Sequence, residues 1–158
     1  MPSPTLSSKP PFIPRLVLDT NVCLDAFVFE DPSAMTLSRL IACGGVHAFT
    51  DAACREEWLR VLTYPQFALG LDRQREMVAK FDAHLRYVPE TDRMRSAVTL
   101  PICKDTDDQK FMELALAVGA QWLISKDNEL LKLGRRTLRE AGFAIVTLAD
   151  WDRRFTLV

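Results

Sequence analysis

Apolar residues recur along this chain in two alternating rhythms. Short continuous runs fall at Leu16-Val17-Leu18, Val46 to Phe49, Gln121 to Ser125 and Ala144 to Leu148. Runs that brief, bounded by polar or glycine residues, predict strands buried on both faces. Between them the apolar positions take helical spacing. The spacing predicts helices over Val22 to Phe29, Ala34 to Ala42, Asp51 to Thr63, Leu71 to Leu85 and Gln109 to Val118. A helix start follows at Glu129-Leu130-Leu131, and a closing helical turn at Ala149 to Phe155. Thr50 reads as the cap of the third helix, and Gly44-Gly45, Pro65 and Gly119 as stops. In the fourth helix Met77, Val78, Phe81 and Leu85 face inward, and Arg73, Arg75 and Lys80 outward. Tyr87-Val88-Pro89 suits a short extended piece, whereas Glu90 to Leu100 has no clear period.

Strands alternating with helices predict an α/β fold whose central sheet is mainly parallel, with helices on both faces. Ligands of such sheets bind at the carboxyl ends of the strands. Right-handed crossovers bring the ends of the first strand and of the Gln121 to Ser125 strand to one edge, so Asp19 and Asp127 should converge. On topology alone, the helix that begins near Asp108 has its amino end at the opposite edge unless the preceding loop carries it over.

Composition narrows the class without naming a chemistry. The chain has 158 residues, 48% hydrophobic and 26% charged, the profile of an ordinary globular protein with a real core. Its net charge of −1 gives no global basic signature, so a nucleic-acid role would rest on local basic residues around an acidic site. Cys23, Cys43, Cys54 and Cys103 form no CxxC pair and have no neighbouring histidine cluster. That pattern predicts reduced thiols of a cytoplasmic protein, with neither a zinc site nor a disulfide framework. No apolar run approaches the roughly 18 residues of a membrane span. Four prolines in the first eleven residues, without an apolar signal core, suggest that residues 1–14 are a flexible tail ahead of a single domain at 15–158.

Three polar stretches carry candidate chemistry. Asp19-Thr20-Asn21 closes the first strand with three oxygen-bearing side chains, which suit a hard cation such as Mg2+ or Mn2+ and equally suit a helix cap. Asp105, Asp107 and Asp108 crowd the start of the fifth helix. One cap needs one acid, and a cation would offset the repulsion among the others. Ser125-Lys126-Asp127-Asn128 repeats the opening logic of strand, hydroxyl, acid and helix. Glu57 falls on the border of a buried helix face, as either a solvated flank or an inward-pointing ligand. His47, alone within a strand, reads as structural more readily than as a base.

In this order, DTN at Asp19 to Asn21, REEWLRVLTYPQF at Arg55 to Phe67, KDTDDQKFMELALAVGA at Lys104 to Ala120 and LISKDNELL at Leu123 to Leu131 resemble a PIN-domain ribonuclease. The resemblance runs from about Arg15 to Trp151. It is closest to the branch that supplies toxin components of bacterial toxin-antitoxin systems. It implies a three-layer α/β/α sandwich and a metal-dependent endonuclease acting on RNA. The family's four acids fall on Asp19, Glu57, Asp108 and Asp127, which would hold one or two Mg2+ or Mn2+ ions. Its hydroxyl and amide positions fall on Thr20, Asn21 and Ser125, which would orient carboxylates or waters. Asp105 matches an acid common in this branch, as ligand or cap. Thr106 replaces a usual proline, and Ser125-Lys126 stands where Thr-Gly is common. The metal would acidify a water that attacks the scissile phosphorus. Lys126, Arg135 and Arg136 are candidates for guiding the RNA backbone past the acids, and they suit a solvated helix face equally well. The resemblance also implies a small antitoxin protein as partner and self-association, as a dimer.

Other readings fit less well. A haloacid-dehalogenase-type phosphatase needs an acid where Asn21 stands, and a phosphoacceptor receiver domain needs a strand-end aspartate where Thr50 stands. A catalytically silent PIN-like module that binds RNA or protein is the alternative of a different class, and retention of all four acids argues against it.

Overall fold

The structure, a computed structural model, describes residues 12–93 and 96–156. The proline-rich stretch expected to be a tail lies outside the described residues through position 11, as do residues 94–95 of the segment without a period.

Five strands form one all-parallel sheet in the order β3-β2-β1-β4-β5. They are β1 (Arg15–Leu18), β2 (His47–Thr50), β3 (Leu85–Tyr87), β4 (Trp122–Ile124) and β5 (Ala144–Val146). Alternation along β1 divides the core between the two faces. Leu16 and Leu18 join a cluster with Phe27, Leu37, Trp58, Phe81 and Trp151, whereas Val17 joins one with Phe111, Met112, Leu123, Phe143 and Ile145. Strands β1, β4 and β5 are therefore buried on both sides along most of their length, which is why they read as continuous apolar runs, whereas the edge strand β3 buries only Leu85 and exposes Arg86 and Tyr87. At the heart of the first cluster the rings of Trp58 and Phe81 stack at 5.2 Å, with Phe27 edge-on to both.

The helices are α1 (Thr20–Cys23), α2 (Met35–Cys43), α3 (Ala52–Val61), α4 (Leu71–His84), α5 (Gln109–Val118), α6 (Asn128–Leu131), α7 (Gly134–Ala141) and α8 (Leu148–Thr156). Helix α5 has the bounds expected from its periodicity. The first helix differs. It begins at Thr20, directly after Asp19, and passes at Leu24 into a π-turn through Val28. The third begins one residue later than read. Thr50 stays in the sheet, its carbonyl accepting from Val88 N–H at 2.9 Å, and Asp51 is the cap that accepts from Cys54 N–H at 2.9 Å. Lys80 turns back toward the protein, donating to Phe27 O at 3.1 Å and to Glu30. At Gly134 the backbone of α7 lies so close to β5 that a Cβ would stand 2.7 Å from Ile145 O.

The structure corrects the expected placement of Asp108. A helix that crosses between two parallel strands begins at the edge where the first of them ends. The segment after β3 therefore starts at the carboxyl edge, and α5 runs back from there. Its amino end lies at the same edge as the ends of β1 and β4, without a loop having to cross the sheet. Among the described residues no helix is long and apolar enough to cross a membrane.

Candidate metal centre

At that carboxyl edge a pocket of about 210 Å³ is lined by Asp19, Thr20, Asn21, Glu57, Asp105, Asp108 and Asp127, with Val61 and Phe111 as its apolar floor. All four acids singled out in the sequence, and Asp105 with them, come to one place. They arrive on the end of β1, on α3, on the turn before α5 and on the turn after β4.

Asp19 is the most tightly held. It is 4% exposed and caps α1 through Oδ1, which accepts from Val22 N–H at 3.0 Å. Its Oδ2 accepts from the Ser125 hydroxyl and from Lys126 N–H at 3.2 Å. Ser125, fully buried, also accepts from Asp127 N–H at 3.0 Å. One hydroxyl thus ties the ends of β1 and β4 together. Burial raises the Asp19 carboxyl above its ordinary range against the pull of these three donors, and the charge of Asp127 adds to the rise.

Asp105, Asp108 and Asp127 form the densest group: each offers a carboxylate oxygen, and these oxygens lie within 4.8 Å of one another. Partial burial, a hydrogen bond with Asp127 and the charges of Asp105, Asp127 and Asp19 push Asp108 up to about 8. Asp127 moves the other way, held down by that hydrogen bond and by Glu129 N–H, which donates to its Oδ1 at 2.8 Å. The two carboxyls move in opposite directions because ionising both would place like charges side by side. Asp105 also caps the turn before α5, accepting from Asp107 N–H at 3.0 Å. The donor chemistry fits a divalent cation: hard oxygens, converging, whose mutual repulsion such an ion removes.

Glu57 lines the pocket outside that group of three. One oxygen accepts from the Thr20 hydroxyl, and the other from Lys110 Nζ at 2.8 Å. The Lys110 amine also reaches Asp107 O at 2.7 Å. Sequence reasoning missed this lysine. It sits one residue before the apolar stripe of α5, and a contact with a glutamate 53 positions away has no local signature. Asn21 is exposed at the rim, and its side-chain amide has no hydrogen-bond partner among the described residues.

Of the three cations considered for RNA, Lys126 is bound into the site through its backbone, and its amine pairs with Asp25 at 3.0 Å. Arg135 and Arg136 are exposed on α7 and do not line the pocket; Arg136 pairs with Glu140 at 3.0 Å. His47 stands at the amino end of β2, roughly 13 Å along the strands from Asp19, and is bonded to Arg86. All four cysteines are free thiols, three of them buried.

No curated protein matches this sequence. Among solved structures, the crystal structure of VapBC2 from Rickettsia felis bound to a DNA fragment from their promoter is similar in fold. Its TM-score is 0.53 at 12% identity, covering 83% of this chain and 96% of that one. A PIN domain model matches residues 15–129, a span from the first residue of β1 through Asp127 at the pocket, and the chain belongs to the PIN domain family.

Proposed function

We propose that this protein is a Mg2+- or Mn2+-dependent endoribonuclease and the toxin of a toxin-antitoxin pair. One observation carries the reading: carboxylates from distant parts of the chain share a single pocket at the carboxyl edge of the sheet. Asp105, Asp108 and Asp127 would hold the cation, with Asp19 beside them. When bound, a divalent cation supplies a Lewis acid that lowers the pKa of water and offsets negative charge on a phosphodiester.

The chain's own residues do the positioning. Ser125, Val22 and Lys126 fix both oxygens of Asp19, so that carboxylate is oriented before any ligand arrives. Thr20 and Lys110 fix Glu57 in the same way. Asn21, at the rim, can orient a water or a phosphate oxygen. An acidic pocket repels RNA, so neighbouring cations must hold the backbone, with Lys126 at the pocket and Arg135 and Arg136 on α7 in that role. The protein would act in the cytoplasm, a setting that suits its free thiols. Its protein partner would be a small antitoxin, in keeping with its likeness to a VapBC2 structure, and its own state would be a dimer.

The test is cleavage of single-stranded RNA by purified protein with Mn2+. The wild type should shorten the RNA and Asp19→Asn should not, with the variant's circular dichroism unchanged. Undiminished cleavage by the variant refutes the assignment. RNA bound but never cut by the wild type would leave the binding module instead.

A further inference from the structure

A second cavity, of about 300 Å³, opens on the sheet face beside the edge strand β3, and its lining includes Arg15, Phe49, Arg86 and Asp92. The register of the strands builds it. Arg15 pairs with His47 across β1 and β2, and Phe49 with Arg86 across β2 and β3, so these four side chains share one face. Arg86 donates to His47 Nε2 at 3.0 Å, and the Arg15 guanidinium lies over the Phe49 ring at 5.6 Å.

Two features set this cluster apart from an ordinary solvated surface. Neither Arg15 nor Arg86 has a carboxylate within 4.0 Å among the described residues, although most of the protein's other described cations are so paired. Burial first, and then the charges of Arg86 and Arg15, hold the His47 imidazole below its ordinary range. Guanidinium groups bind phosphate through paired N–H donors, and their planes stack on nucleobases. The Phe49 ring supports such a stack from below. Asp92, on the same lining, can accept from ribose hydroxyls, as carboxylates do in nucleotide sites. The volume is at the small end of ligand pockets and suits one nucleotide.

We propose that the Arg15–Arg86 cavity binds a nucleotide, its phosphate on the two guanidinium groups and its ribose on Asp92. The nucleotide is either free or one unit of an RNA strand. This site shares no lining residue with the acidic pocket, and the proposal does not rest on the nuclease reading.

The test uses the full chain in EDTA, so that cleavage cannot interfere, followed by NMR of backbone amides and of the His47 ring. Adenosine 5′-monophosphate, adenosine and a five-residue oligouridylate are the probes. The monophosphate should shift signals of Arg15, His47 and Arg86, and adenosine should bind about tenfold more weakly for want of the phosphate. Arg86→Gln and, separately, Arg15→Gln should each weaken the monophosphate about tenfold while the spectra remain those of a folded protein. Tighter binding of the oligouridylate assigns the site to an RNA strand, and equal or weaker binding assigns it to a free nucleotide. The proposal is overturned by an absence of shifts at about 10 mM monophosphate, by shifts confined to the acidic pocket, or by folded variants that bind as well as wild type.

Discussion

Replacing Asp108 with Asn should stabilise the metal-free protein at high pH and leave it unchanged at low pH. The Asp108 carboxyl sits at about 8 in the folded protein against an ordinary value of 3.8, so between those values the folded state carries a proton that the unfolded chain has lost. Its contribution to stability is fully present below about pH 4 and is lost as pH rises through about 8. Above that, Asp108 is ionised among the carboxylates of Asp105 and Asp127, whose oxygens lie within 4.8 Å. At that separation one pair of like charges costs on the order of 1–3 kcal/mol for surface-like dielectrics. Because Asp108 is partly exposed, screening brings the recoverable part to about 1–2 kcal/mol. For a chain of this size that corresponds to a Tm about 2–8 °C higher for Asp108→Asn at pH 9, against no difference at pH 4. Thermal unfolding in EDTA across that range is the assay, and the wild-type minus variant difference isolates this group from other titrating carboxylates. Mn2+ should raise the wild-type Tm at pH 9 far more than the variant's. Equal melting of the two proteins at pH 9 without metal would refute the electrostatic reading of the pocket.

Lys110→Met removes the amine from Glu57 and one positive charge from the pocket, so Mn2+ should bind several-fold more tightly by isothermal titration calorimetry; weaker binding would show that the lysine supports the ligand set instead of competing with the ion. Trp58→Ala deletes the fully buried ring stacked on Phe81 and should cost about 3–5 kcal/mol in urea unfolding. A loss below about 1 kcal/mol would mean that the cluster on that face closes over the gap.

What the sequence disclosed about this site followed from how locally each part is encoded. Asp19 and Asp127 each terminate an apolar strand and cap the helix that follows, so one short stretch specifies both the strand and the position of its acid. Parallel pairing of β1 with β4 then brings the two acids together. The bounds of α5 were legible for the same reason, since its apolar stripe is long and Gly119 closes it in a left-handed conformation. The Thr50 and Asp51 cap was misplaced by one residue because both side chains can cap a helix, and the choice falls to Val88, which holds Thr50 in the ladder from a distant segment. Lys110 was invisible because its meaning lies in Glu57, a residue brought near only when α3 and α5 pack.

The same distinction explains the two basic features. Arg135, Arg136 and Arg139 stand out in the sequence as a run, and Arg136 and Arg139 share one carboxylate, Glu140. Arg15, His47 and Arg86 are scattered over three strands and form no motif, yet parallel pairing sets them side by side, with no carboxylate within 4.0 Å of either arginine among the described residues. Charge that is conspicuous along the chain is thus answered in part by one glutamate, and the sheet assembles a second basic group that no motif announces. For this protein the register of β1, β2 and β3 therefore discloses a candidate anion site that the density of arginines in the sequence does not.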